Sequence, residues 1–172
     1  MLLSLTVNRE VSQTQMVVQY NTFDRRFEGI LEQGRHATNV GVKFYDFIRT
    51  VQTLPLSEIN CLSRDKVSIN LNVLVRFRLK RDELIPVIMT QFGYADLHME
   101  FVSFLASSAI HASCTLFDVN DYFTSRSLVD NTMYLAVRDL IDNEHYAVNI
   151  ELVQVSNIGL PESLVNLMTG KE

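Results

Sequence analysis

The sequence predicts an α+β fold, and three observations carry that prediction. Val67 to Leu79 alternates apolar and polar residues, the pattern beyond Arg81 changes to helical spacing, and alternation returns between Tyr146 and Ile158. Strands, then helices, then a returning strand is the order of an antiparallel sheet with helices gathered on one side. The clearest of the three is the first. Every odd position from 67 to 79 is apolar, and five of the six residues between them are polar (Ser68, Asn70, Asn72, Arg76 and Arg78), with Leu74 the exception. At ~3.3 Å per residue this run spans roughly 43 Å, about twice the common strand length, so it needs antiparallel partners and an apolar cover.

A chain of 172 residues with 47% hydrophobic and 20% charged content is long enough for one packed domain and is not compositionally disordered. The expected organisation is a single domain over 1–172, with residues 1–14 an irregular lead-in and 161–172 the start of a carboxyl-terminal helix. A net charge of −5 argues against nonspecific nucleic-acid binding, which requires a basic face. The local basic groups Arg25-Arg26, Arg76-Phe77-Arg78 and Lys80-Arg81 fit solvated surface, with anionic headgroups or an acidic partner as the alternative. No stretch reaches the ~20 apolar residues of a membrane span. Phe101 to Ile110 is too short and contains Ser103, Ser107 and Ser108, and Met1 to Val7 lacks the pattern of a secretory signal. Two cysteines, Cys61 and Cys114, and no Asn-x-Ser/Thr sequon favour a reducing compartment.

In the first half, Gln15 to Tyr20 predicts a short strand, Asn21 to Arg26 a polar break, and Gly29 to Gly34 an extended piece ending in a turn. Val40 to Val51 is rich in β-branched and aromatic residues and predicts extended structure. Thr53 to Leu62 predicts a strand with a sheet edge or an irregular start at Pro55, which has no amide hydrogen to give to a ladder. Ser63-Arg64-Asp65-Lys66 turns the chain into the long strand, and the whole half reads as an antiparallel meander.

Arg81-Asp82-Glu83-Leu84 opens a short helix with Asp82 as its N-cap and Pro86 in its first turn, interrupted at Gly93. Leu97, Phe101, Phe104, Leu105, Ser108, Ala109 and Ala112 mark one face of a helix of about five turns. Asp118 to Phe123 connects to a second helix capped by Thr124 or Ser125, with Val129, Met133, Ala136, Val137, Leu140 and Ile141 on one face and an end near Asn143. In the returning strand Val148, Ile150 and Leu152 alternate, then the phase slips to Val153 and Val155, which predicts a bulge near Leu152-Val153. Pro161 then suits the first position of a last helix. No internal repeat or Pro/Gly-rich linker divides the chain.

Residues with chemical capacity are few. His111 and Cys114 share a helix face, but two ligands do not make a zinc site, and no Cys-x-x-Cys or His-Glu-x-x-His accompanies them. The expected role of Cys114 is apolar packing and that of Cys61 a structural thiol. His36, His98 and His145 stand apart from one another in the sequence. Asp118/Asp121 and Asp139/Asp142 invite an acid–base or cation reading, yet they fall where caps and helix ends use carboxylates. Phe44, Tyr45 and Phe47 suit core, with a membrane-facing patch as the alternative. No Gly-x-Gly-x-x-Gly, Walker loop or Gly-x-Ser-x-Gly elbow occurs, so the sequence assigns no catalytic, cofactor-binding or metal residue.

Four stretches, in order, carry a family likeness: Gly29 to His36; Thr50 to Leu56 with Leu62 to Val67; Phe92-Gly93-Tyr94 with Leu116-Phe117-Asp118 and the Arg126 helix; and Tyr146 to Val155 closing with Ile158 to Pro161. From about Gln15 onward the chain resembles the SPFH or Band 7 domain of stomatins, prohibitins and flotillins, without singling out one branch. It departs from that pattern at Lys66, where the family often has a turn glycine. The apolar anchor and charged coiled coil common in the family are not among these residues. The resemblance implies a curved antiparallel sheet with helices on one side. It also implies a non-enzymatic, membrane-associated scaffold that self-assembles, alone or with a paralogue, and organises membrane proteins on a cytoplasmic or organelle, including mitochondrial, face. Two other readings stand beside it: a soluble adaptor for one partner such as a protease or channel, and a small hydrolase or metal-binding protein.

Overall fold

The computed structural model describes residues 6–87 and 97–160. Within them eight strands form three antiparallel sheets, and the largest is built around the long alternating segment. That segment is β7 (Ser68–Leu79), flanked by β6 (Gln52–Leu62) on one side and β8 (Val148–Gly159) on the other. Its odd residues Ile69, Leu71, Val73, Val75, Phe77 and Leu79 are all at most 4% exposed. Burying side chains of this size stabilises by about 1.5–3 kcal/mol each, so the strand contributes a large part of the core. Pro55 does lie on an edge strand, β6, opposite Leu74.

Helices α2 (His98–Cys114) and α4 (Arg126–Asn143) cover the inward face of this sheet, α2 against β6 and α4 against β8, and they pack on each other. On α4 the anticipated face is buried through Val129, Met133, Val137 and Ile141, with Ala136 and Leu140 packed at its margin. On α2 the face is rotated from the expected one. Leu105 and Ala109 are buried as anticipated, but Val102, Ala106, Ile110, Ser113 and Cys114 complete the buried side. Leu97, Phe104, Ser108 and Ala112 lie outside, Phe104 at 71% exposure. The helix is dense in alanine and serine, so two faces are nearly equal in apolarity, and contact with β6 and α4 decides between them.

The other six elements of the first half are β1 (Thr6–Val11), β2 (Gln15–Asn21), β3 (Arg26–Leu31), β4 (Gly34–Asn39), β5 (Val42–Ile48) and a short helix α1 (Arg81–Val87) of about two turns that follows β7. The amino-terminal lead-in is not irregular throughout: β1 pairs with β4 from Thr6↔Asn39 to Val11↔Gly34. β4 itself was not anticipated, since Gly-Arg-His-Ala-Thr-Asn has little strand propensity and is held by its register with β1. The arrangement is therefore not a simple meander. β2 takes β3 on one edge and β5 on the other, so β5 turns back beside β2 and not beside β4. Consecutive Val17 and Val18 are both 0% exposed, which means that β2 is covered on both faces.

Two further expectations shift. Helix α1 begins at Arg81, which puts Asp82 inside the first turn and not at the cap. The bulge expected at Leu152-Val153 falls one residue earlier: β8 pairs Ile150 with Phe77 and Leu152 with Arg76, leaving Glu151 as the extra residue. A second extra residue, Ser156, sits between Val155↔Val73 and Asn157↔Asn72. Ser125 precedes α4 but makes no side-chain cap bond, and the short helix α3 (Asp121–Thr124) forms in the connector before it. The interruption expected at Gly93 and the helix expected from Pro161 lie outside the described residues.

Candidate functional site

The densest constellation of polar groups is a corner where the turn after β6 meets the segment after α2. Arg64 donates from Nε to Asp118 Oδ1 at 2.9 Å and from Nη2 to Oδ2, a two-pronged ion pair. The Arg64 amide donates to the Phe117 carbonyl at 2.8 Å, and the Val119 amide donates to Asp65 Oδ1 at 3.3 Å. Asp121 accepts from the Asp118 amide at 3.0 Å, and the buried Tyr122 hydroxyl donates to the Cys114 carbonyl at 3.2 Å. Beneath these contacts Cys61 and Cys114 are joined as a disulfide.

The electrostatics of the corner are those of a fastener. The hydrogen bond from Arg64 holds the Asp118 carboxyl below its ordinary range, and Asp118 in turn raises the guanidinium. Burial pushes the Tyr122 phenol up to about 12. A general base needs the opposite tuning, a carboxylate raised toward neutrality, and Asp118 is moved away from it. The cysteines are not the separate thiols the sequence led us to expect. Their sulfurs are committed to each other, and His111, one turn before the buried Cys114, stands exposed.

The remaining candidates are dispersed over the fold and do not converge on one another. Asp139 pairs with its neighbour Arg138, while Asp142 pairs with Lys80. His36 Nε2 lies 2.6 Å from the Glu32 carbonyl, His98 is buried with its ring 5.8 Å from Phe47, and His145 is exposed. Among the described residues no three His, Cys, Asp or Glu side chains converge on a point where a metal would sit. The basic groups largely face carboxylates: Arg26 with Asp24, Arg78 with Glu151, Lys80 with Glu83, and Arg81 with Glu32. Phe47 is core, Tyr45 packs against Tyr20 and Phe27, and the half-buried Phe44 lies under the Arg9 guanidinium. A shallow cleft of about 360 Å³ opens beside Asn8, Glu10, Arg35, His36 and Ala37 on the β1–β4 ladder, and one of about 160 Å³ beside Asn60, Ser68 and Asn70.

The sheet edge at β8 is closed by side chains, a feature that sequence reasoning missed. Arg126 Nη2 donates to the Val155 carbonyl, and the Val155 amide donates to Asp130 at 2.8 Å. Arg126 and Asp130 stand one helical turn apart on α4, so their i, i+4 spacing was the available signal.

An α+β body whose polar contacts fasten its own elements, with helices clamped over one sheet, defines a structural module. The sequence model of the SPFH domain / Band 7 family matches residues 9–172, and the chain belongs to that family. No curated protein matches the chain. Members of the family are generally membrane-associated scaffolds without enzymatic activity, and they typically oligomerise and associate with membrane proteins. Among the described residues no helix is long and apolar enough to cross a membrane.

Proposed function

We propose that this chain is a non-enzymatic scaffold domain that assembles with itself or a paralogue and organises membrane proteins on a cytoplasmic or organelle, including mitochondrial, face. The observation that supports the reading most is the family match over residues 9–172, which spans nearly every element of the fold. The physical features agree with it. Arg64, Arg78, Lys80 and Arg81 are engaged in ion pairs that tie elements together. Phe104 on α2 and Leu128 and Leu135 on α4 remain exposed, supplying apolar surface outside the core. A heterologous contact between copies of such a body closes into a ring when the rotation per subunit permits.

Sedimentation velocity over a hundredfold concentration range tests this reading, with and without vesicles containing anionic lipid. A concentration-dependent ladder of species, or co-sedimentation of the chain with vesicles as oligomers, supports the scaffold. A strict monomer under every condition favours the adaptor for a single protein partner instead.

A further inference from the structure

We propose that Cys61 and Cys114 form a redox-controlled lock on the corner that joins β6 to α2, a device that goes beyond the scaffold reading and does not depend on it. Cys61 lies on β6 opposite Ile69, and Cys114 is the last residue of α2. They are 53 residues apart in sequence, yet their Cα atoms are 6.0 Å apart, within the usual span of a disulfide. Both are buried, at 4% and 0% exposure, among the apolar side chains of the core. Their place at the junction of a strand and a helix end, inside the core, suits a covalent closure between the two elements. Cys114 is followed directly by the exposed Thr115 and Leu116, so local opening of that helix end is the route by which an oxidant would reach the buried pair.

The chemistry is thiol–disulfide exchange with a small disulfide such as oxidised glutathione. One cysteine thiolate attacks the glutathione disulfide and releases one reduced glutathione. The second attacks the resulting mixed disulfide and releases another, so the two electrons leave the protein thiols and reduce the glutathione sulfurs. In the oxidised chain the bond ties the edge strand to the helix covalently. In the reduced chain the same corner depends on the solvent-exposed Arg64–Asp118 pair and on the backbone bonds beside it. The redox poise of the surroundings then sets how firmly α2 is held on the sheet.

The folded chain is equilibrated with oxidised glutathione or with dithiothreitol, denatured, alkylated and weighed, and the melting temperature of each form is measured. The expected result is no alkyl group after oxidation, two after reduction, and a melting temperature about 10 °C lower in the reduced form, from the loop length the bond closes. Cys61→Ser combined with Cys114→Ser removes the dependence on redox state; should that variant not fold, the two forms of the native chain still decide the matter. Two alkyl groups after oxidation, glutathione adducts in place of the internal bond, or melting temperatures within ~2 °C of each other overturn the proposal.

Discussion

The Asp130 carboxylate on α4 accepts a hydrogen bond from the Val155 amide on β8 at 2.8 Å. One helical turn earlier, Arg126 donates to the carbonyl of the same residue. An edge strand normally offers such groups to any passing chain, and here a helix answers both at one residue. Asp130→Ala leaves a part-buried amide without its charged acceptor, so it should destabilise by about 1–3 kcal/mol. Urea denaturation measures the loss. Light scattering should also show association beyond that of the native chain at the same concentration.

Asp118 gives the fold an acid dependence. Its folded value lies below the ordinary 3.8 because Arg64 bonds its ionised form. Its contribution is fully present above the unfolded value and is lost as pH falls through the lowered folded value. The urea midpoint of the native chain should therefore exceed that of Asp118→Asn at neutral pH, and the two should converge in acid. Because both groups are exposed, the difference should also shrink in high salt. A difference that is the same at all pH values would contradict this assignment.

Lys66 occupies the left-handed region at φ 62°, in the turn that leads into β7. A side chain there is strained by about 1–2 kcal/mol, partly offset by the extra freedom glycine has in the unfolded chain. Lys66→Gly should raise stability by about 0.5–1 kcal/mol, read as a higher urea midpoint with an unchanged slope.

The rotated face of α2 separates two residues of similar apolarity. Ile110 is 0% exposed and Phe104 is 71% exposed. Ile110→Ala should cost about 2–5 kcal/mol by leaving a cavity, while Phe104→Ser should stay within ~0.5 kcal/mol. Equal costs would mean that the helix presents its other face to the sheet.

How much of this was legible in the sequence depends on how local each signal is. β7 was plain because its alternation is strict and one face alone is apolar. The buried face of α4 was legible for the same reason at helical period. The face of α2 was not, because alanines and serines populate most of its circumference and only tertiary contact discriminates among them. β4 was missed because its partner β1 confers its extended form, and β1 itself fell in a stretch without clear alternation. The Glu58–Asn72 contact was also hidden. Glu58 adopts φ 58° at a bulge in β6 and donates its amide to the Asn72 side chain at 2.9 Å, a link visible only once the strands are in register. The corner followed the same rule. Arg64 and Asp118 are separated by 54 positions and the two cysteines by 53, so each residue looked like an ordinary turn, cap or core position by itself.

Amide hydrogen exchange resolved along the chain tests the central claim, that one inward-facing ribbon paired on both edges and roofed by two helices organises the molecule. The slowest-exchanging amides should lie in Ile69–Leu79 and the facing parts of β6 and β8, with β1 and β4 exchanging far sooner. Exchange in Ile69–Leu79 as rapid as in the two-stranded β1–β4 ladder would contradict the account.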